Sequence, residues 1–462
     1  MAAESPSMLT FGRAAQWCGA REALPASLRN RRIAAVTNDS RTTIPGSLFV
    51  ALRSERDDGH RYVADALAKG AAAALVARKS VNAELEKRRS RLLIVPDPLK
   101  ALQRLAARYR REQDLLVVGI TGSSGKTTTR SMLTAVLNAR VPTGGTKGNW
   151  NNHIGVPLTL LSLRGDEYAA VVEMGANHVG EIRTLTRIAR PDIAVVTNIG
   201  YAHVGLFGSL ANTTRAKMEI IDGLNRREGY LMVNGDDRRL LRAARASGVR
   251  LLTFGIGRSC DIRAENVETS PRGTTFDVAG HGYRLSMPGR HFVYAALPAV
   301  ALGLRVGLEP SAIAGVLREQ KPVNMRGGIR SKKGVRFVLD CYNANPDSMR
   351  SALTLLSDLA PRERRIAVLG EMLELESYAG RLHRQLGRDT AAAGVRELIA
   401  AGEHGNEIAS GAREKGMAAR HVHVATDAAE ALSALRNVVQ SGDTVLLKAS
   451  RMMQFEHIHA RY

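Results

Sequence analysis

Cysteine is scarce in this chain. Its 462 residues hold three, at positions 18, 260 and 341, with no CxxC spacing. That spacing excludes a disulfide framework and a cysteine-based zinc site, and it fits a reducing compartment. Aromatic residues make up only 4%, so no stacking platform for nucleic-acid bases stands out. No apolar stretch is long enough to span a bilayer, and the N-terminal segment, with Glu4 and Arg13, lacks the apolar core of a signal peptide; a cytoplasmic protein without membrane insertion is expected. Acidic residues are the other shortage. Lys and Arg number 66 against 44 Asp and Glu, a net charge of +22, which favours polyanions through long-range attraction. The basic residues are spread along the chain, as in RNRR, EKRRSR, RYRREQ and RERR. A generally basic surface around anionic small molecules is the more economical account, and nucleic acid is not expected as a partner. There is no internal repeat and no low-complexity segment.

What is present in quantity is ordinary for a globular chain, 44% hydrophobic and 24% charged residues, over a length that suggests about two to four domains. The most informative stretch is residues 115–130, LLVVGITGSSGKTTTR. Its apolar run predicts a buried strand, the Gly/Ser cluster breaks it, and Lys126 onward predicts a helix through Met132, Leu133, Val136 and Leu137. Gly122 and Gly125 let the backbone curl so that successive amides, those of Ser123 and Ser124 among them, point inward. The first helical turn, with Thr128, adds unpaired donors and a positive dipole end, and Lys126 adds a full charge. Thr127 offers a hydroxyl to Mg²⁺. The pattern is GxxGKT and not GxxxxGK[ST], because Ile120 stands where the outer glycine would be. A flexible Gly/Ser connection is the bland alternative, and Gly-Lys-Thr at a strand-to-helix junction argues against it. Nucleotide phosphate binding follows; the motif alone leaves kinase, motor, GTPase and ligase open.

Three units are expected. Residues 1–112 read as a small mixed α/β domain, with strands at 33–36 and 47–52, a helix then a strand over 64–77, and a basic run at 87–91 on a solvated helix face. Asp39-Ser40-Arg41 within it reads as an ordinary turn. Residues 113–320 alternate strand and helix, with apolar runs at 168–174, 193–199 and 230–233, as in a mostly parallel sheet that presents ligands at its strand ends. Glu173 closes the first run, where its carboxylate can reach a metal held by Thr127 and the phosphates. His203 follows the second; a lone histidine there is more often structural, and position alone does not make it a ligand. The loop at 147–157 makes poor helix and poor strand, and its Asn149, Asn151 and Asn152 amides suit a polar substrate. Residues 321–462 restart the alternation as a Rossmann-like α/β domain, with strands at 336–341, 366–369, 398–401 and 444–447 and helices at 347–359 and about 378–393. Residues 342–346 and 370–374 follow strand ends, again the expected place for ligand contacts.

Taken in order, NDSRTTIPGSLFVAL, DDGH, GITGSSGKTTT, KGNWNNHIGVPLTLL, EMGANHVGEI, NIGYAHVG, RAKMEI, CYNANPDSM, LGEMLEL and KASR resemble the Mur ligase family of peptidoglycan synthesis over nearly the whole chain. GNWNNHIG and CYNANPDSM are most similar to the branch that adds D-alanyl-D-alanine to UDP-N-acetylmuramoyl-tripeptide. The resemblance implies a UDP-substrate-binding N-terminal domain, a central P-loop-type ATP-binding domain and a C-terminal ligase domain. It implies a monomeric, cytoplasmic, ATP-dependent amide ligase with two Mg²⁺ ions. The tripeptide carboxylate would attack the γ-phosphate to give an acyl phosphate, which the dipeptide amine captures. The physics agrees: a carboxylate has a poor leaving group until phosphorylated, and two anions must be screened before they meet.

Residue by residue, the resemblance gives Lys126 and Thr127 the β/γ-phosphates and the first Mg²⁺, and lets Glu173 bridge toward the metals. It makes His203 a ligand of the second Mg²⁺ and Lys217 a carbamylated, CO₂-derived anion suited to hard cations. Without the family, Lys217 reads as a solvated helix residue. His291 would bind nucleotide, and Arg326 and Asp340 would clasp it from the third domain on closure. Ser40 and Arg41 would face the uridine diphosphate end, Asn149, Asn151 and Asn152 the muramoyl-peptide, and Asn343, Asn345 and Pro346 the dipeptide. The family's HNxxNxxAA reads here as His291-Phe292-Val293-Tyr294-Ala295, without either asparagine, which leaves Phe292 or Tyr294 to stack on adenine. The rival readings are a Mur or folylpolyglutamate-type ligase with a different acceptor and, from another class, a basic nucleic-acid-binding ATPase.

Overall fold

The computed structural model describes residues 9–20, 24–225, 227–322 and 325–462. Its first sheet is parallel, in the order β1 (Val36–Thr37), β2 (Leu48–Val50), β3 (Ala73–Ala77), β4 (Leu92–Val95). Alternate residues feed two cores. Leu75, Leu93 and Val95 pack with Leu102 and Leu105 on one face, and Ala74, Val76 and Ile94 with Val63 and Leu67 on the other, so the strands read as unbroken apolar runs. The expected strand at 33–36 begins only at Val36, because the amides of Ile33 and Ala34 are taken by the carbonyls of Leu9 and Gly46 outside the sheet. The basic run at 87–91 is largely exposed and ends in the short 3-10 helix Arg89–Arg91. It follows the one-turn helix Ala83–Glu86, and Arg91 folds back onto the carbonyls of Ala71 and Ala72.

Asp97 caps the helix Pro98–Arg111 by accepting from the amides of Leu99 and Lys100, and Pro98 sits where no donor is needed. This helix joins the first sheet to the second. The Tyr109 hydroxyl donates to the Leu163 carbonyl at 2.9 Å, and the buried Arg110 reaches the Ala189 carbonyl at 3.0 Å and Asp192 Oδ2 at 3.1 Å.

The second sheet has seven parallel strands: β5 (Leu116–Thr121), β6 (Thr143–Gly145), β7 (Ala169–Glu173), β8 (Ile193–Val196), β9 (Tyr230–Asn234), β10 (Leu251–Gly255) and β11 (Ile262–Arg263). Their spatial order is β11-β10-β9-β8-β5-β7-β6. The strand order reverses at β5, which opens a crevice at its C-terminal end. An antiparallel meander follows, β12 (Glu265–Ser270), β13 (Gly273–Val278) and β14 (His281–Leu285). It falls outside the alternation expected for 113–320, because its strands are apolar on one face only and no continuous run marks them.

The last sheet runs β15-β16-β20-β17-β18-β19, from β15 (Gly328–Lys332), β16 (Val335–Leu339), β17 (Arg365–Leu369), β18 (Glu397–Ala401), β19 (Val422–Ala425) and β20 (Thr444–Lys448). Only β15 is antiparallel to its neighbour. β20 enters between β16 and β17, so this sheet too has a reversal, and the segments after β16 and β17 flank it.

Candidate active site

The loop that leaves β5 is held from behind by β8. Gly122 has φ +145° and Gly125 +79°. The Thr197 hydroxyl donates to the Ser124 carbonyl at 2.6 Å. The amides of Ser123 and Ser124 donate to the Asn198 carbonyl (3.0 Å) and Oδ1 (2.9 Å). Those two amides therefore do not point into the cradle, as the sequence suggests, and the donors left are those opening the helix Lys126–Asn138. A Cβ on Gly122 would lie 1.9 Å from Thr197 Oγ1 in a backbone conformation that favours glycine. Gly122→Ala is accordingly expected to destabilise the chain by more than about 1 kcal/mol and to weaken nucleotide binding, which thermal melting and titration with a fluorescent ATP analogue will show.

Lys126 Nζ donates to the Gly122 carbonyl at 2.7 Å; desolvation holds its pKa below the usual lysine value, opposed by Glu173. Glu173 ends β7 and is 2% exposed. Its Oε1 accepts from the Thr127 hydroxyl (3.3 Å) and the Asn151 amide (2.9 Å). Its Oε2 is buried without a hydrogen bond among the described residues and is paired with Arg130 at 3.3 Å. A hydroxyl beside a carboxylate with an unsatisfied oxygen suits a hard divalent ion that keeps phosphate and water ligands, so these residues fit Mg²⁺. Among the described residues no group of three or more His, Cys, Asp or Glu forms a complete metal cage.

Lys217 is not on a solvated helix face. It is 1% exposed, and its Nζ donates to the Ala176 carbonyl at 3.3 Å and lies 5.1 Å from the Phe207 ring centroid. Burial, aided by the charge of Lys126, pushes its pKa down to about 7, while Glu181 and Glu219 pull the other way. Ala176 lines the cleft, so the amine sits just under its floor. His203 lines the same cleft, and its Nδ1 meets the Glu374 carboxylate.

The opposite wall comes from the C-terminal sheet. The Arg326 guanidinium stacks 4.2 Å over the Tyr342 ring, with Nε buried and unpartnered. Asp340 Oδ2 accepts from Lys448 Nζ at 2.6 Å, and the same ammonium reaches the carbonyl of Asn343 at 3.2 Å. His291 sits near both, with its pKa pushed down to about 4 by burial, and packs on Phe292 at 4.1 Å between centroids. Phe292 is 3% exposed, which leaves little of its ring for stacking on a base, and the Tyr294 hydroxyl donates to Asp236 Oδ2 at 2.8 Å.

One cleft of about 1320 Å³ gathers these groups. Ser123, Ser124, Gly125, Lys126, Thr127 and Thr128 line one side. Asn149, Asn151, Asn152, Glu173 and His203 continue it, and His291, Arg326, Asp340, Asn343 and Asn345 face them. Gly122 stands behind the wall, and Pro346 is buried as the first residue of the helix Pro346–Leu359. The Asn345 side chain is engaged as that helix's cap, and Asn152 Oδ1 accepts from the amides of Ile154 and Gly155. Ser40 and Arg41 are not brought to this cleft; they lie on the turn Ser40–Thr42, where Arg41 is exposed and paired with Asp39 at 2.7 Å. Sequence reasoning assigned no role to Arg130, Asn198 or Lys448. Asn198 and Lys448 stand in NIGYAHVG and KASR, but spacing does not say which side chain of a strand end turns inward.

A phosphate loop at one sheet's reversal, a hydroxyl and a carboxylate beside it, and a second α/β sheet closing over both define a multidomain nucleotide-dependent enzyme that works between its sheets. Three family descriptions match the chain: "Mur ligase family, catalytic domain" over residues 32–110, "Mur ligase middle domain" over 120–303 and "Mur ligase, glutamate ligase domain" over 325–451. The UDP-N-acetylmuramoyl-tripeptide–D-alanyl-D-alanine ligase of Bacillus subtilis (strain 168) is 37% identical over 92% of each chain. A crystal structure of MurF from Acinetobacter baumannii matches with a TM-score of 0.87 and 32% identity over 99% of each chain. MurF from Thermotoga maritima, solved with ADP, matches with a TM-score of 0.81 and 27% identity over 92% of this chain and 96% of that one. The chain belongs to the Mur ligase family.

Proposed function

We propose that this chain is the ATP-dependent ligase that joins D-alanyl-D-alanine to UDP-N-acetylmuramoyl-tripeptide, in the cytoplasm and as a monomer. The observation that carries the reading is the Lys126–Thr127–Glu173 constellation facing Arg326 and Asp340 across one cleft, in a chain that aligns over 92% of its length with a ligase of that name. No described helix is long and apolar enough to cross a membrane. Residues 1–112 would take the UDP-linked substrate, with Ser40 and Arg41 at its diphosphate end; 113–320 would take ATP and 321–462 the dipeptide.

In the first step an oxygen of the tripeptide carboxylate bonds to the γ-phosphorus, the bond to the β–γ bridging oxygen breaks, and ADP leaves. In the second, the dipeptide's neutral amine bonds to the acyl carbon and loses a proton, and inorganic phosphate leaves with the former carboxylate oxygen. Lys126 and the opening amides of its helix offset the charge that grows on the departing ADP. Arg130 and Arg326 line the cleft and reduce repulsion between carboxylate and γ-phosphate. Mg²⁺, held by Thr127 and Glu173 and, for a second ion, His203, would neutralise phosphate charge and polarise the γ-phosphoryl group. Lys217 would take up CO₂ as a carbamate, which needs the neutral amine that burial supplies near pH 7. Asn149, Asn151 and Asn152 would orient the muramoyl-peptide, Asn343, Asn345 and Pro346 would border the dipeptide, and His291, Phe292 and Tyr294 would flank the adenine.

The test is phosphate release by the purified chain with ATP, Mg²⁺, bicarbonate and the UDP-linked tripeptide. Release is expected to require D-alanyl-D-alanine. Equal release with single amino acids as acceptors, or with DNA or RNA in place of both peptide substrates, would sink the assignment.

A further inference from the structure

The central and C-terminal sheets are bridged by a clasp that pairs His203 with Glu374, a residue the mechanism above does not use. His203 (φ +58°) precedes the short helix Val204–Phe207, and its Nδ1–H donates to the carboxylate of Glu374 (φ +61°), which belongs to the segment after β17. Glu376, two residues on, is also left-handed at φ +46°. Non-glycine residues stay in that region only where the surroundings over-determine them, and the surroundings here do so. The Gly205 amide donates to the Glu374 carbonyl at 3.1 Å, and the Tyr378 hydroxyl to the Gly208 carbonyl at 2.9 Å. A Cβ on Gly205 would lie 2.8 Å from that Glu374 carbonyl oxygen and 2.5 Å from Glu376 Cγ, so the approach requires a glycine. Behind the segment the fully buried His383 fixes both its ends: Nε2 accepts from the Met372 amide at 2.9 Å and Nδ1 donates to the Ala379 carbonyl at 2.8 Å.

So much construction is out of proportion to a partly exposed ion pair, which adds little to stability. Its chemical effect is on the imidazole. With Nδ1–H committed to a carboxylate, the ring has one tautomer, its Nε2 lone pair is free, and its basicity as a ligand rises. We propose that Glu374 is a positioning residue for His203: reaching across from the C-terminal sheet, it fixes the imidazole for the second divalent cation, which binds well only while that contact is made. The inference rests on the reading of His203 as a cation ligand given above.

The experiment uses the full chain with a non-hydrolysable ATP analogue and Mn²⁺, followed by electron paramagnetic resonance. Glu374→Ala is expected to weaken the second Mn²⁺ by about 10- to 100-fold. Glu374→Gln, whose amide oxygen still accepts from Nδ1–H, should recover most of that loss. Gly205→Val, which keeps the carboxylate but blocks the approach, should match Glu374→Ala, and all three should melt within a few degrees of the parent. In turnover, kcat should fall with the second cation while KM for ATP stays within about twofold. Parent-like Mn²⁺ binding by Glu374→Ala, or a loss that glutamine does not recover, would overturn the proposal. Because Mn²⁺ is measured without acceptor, a wrong choice of acceptor would fail the phosphate-release assay and leave this result unchanged.

Discussion

Lys126→Ala is expected to lower kcat about 100- to 1000-fold, the loss typical when one preorganised donor to developing charge is removed. The ammonium is already gathered over the Gly122 carbonyl and partly desolvated, so it needs little reorganisation when charge moves onto the leaving ADP. Ground-state nucleotide affinity should fall less than kcat, since the helix amides and Thr127 remain and the bridging oxygen carries more negative charge in the transition state than in bound ATP. Coupled ADP release beside a nucleotide titration separates the two. Lys126→Arg should not rescue, because a planar fork cannot replace a compact ammonium lodged beside the carbonyls of Gly122 and Ser123. Equal losses in nucleotide affinity and kcat would mean that Lys126 only holds ATP.

The second large effect is a trade between stability and activity at Lys217. Its folded pKa of about 7 lies well below the usual value for a lysine because the charged form is desolvated next to Lys126. The sign follows directly. Above about pH 10.5 the amine is neutral in both folded and unfolded chains and costs nothing. As pH falls toward 7 the unfolded chain takes up a proton that the folded chain does not, so stability declines, and below 7 the cost is complete. At pH 8 it is on the order of 3 kcal/mol. Lys217→Met keeps the volume and removes the charge, but leaves the Ala176 carbonyl without its donor, a loss of about 1 kcal/mol. The variant is therefore expected to be more stable by about 2 kcal/mol in CO₂-free buffer at pH 8, with no stability gain at pH 10.5, and to turn over at background level. Urea unfolding at the two pH values and the phosphate-release assay measure both halves. A less stable, active Lys217→Met would remove the reading of this lysine as a functional group held at a structural cost.

Several elements were legible because their signals are local. The run at 115–121 followed by GSSGKTTT specifies strand, loop and helix from apolarity and glycine alone, and the strand appears at Leu116–Thr121. The helix expected at 347–359 appears at Pro346–Leu359, where the structure shows Asn345 capping it and proline at its first position. That Glu173 closes a strand and reaches toward Thr127 was readable from the end of its apolar run, and its Oε1 lies 3.3 Å from the Thr127 hydroxyl. The meander Glu265–Leu285 was not legible, since one-faced strands of mixed polarity carry no run and need a partner layer to define their inner side. Nor was the burial of Lys217, because a lysine in a short helix looks the same whether water or Phe207 lies beyond it.

By itself the sequence determined the phosphate loop, the alternation of strands and helices and the family-wide order of motifs, all of which depend on residues near one another in the chain. Only the tertiary structure decided that the amides of Ser123 and Ser124 turn to Asn198, that Lys448 is buried under Asp340, and that Glu374 meets His203 from another sheet. These contacts join residues far apart in sequence. Their partners are chosen by how layers pack and how strands are ordered, and no window of local sequence contains that information.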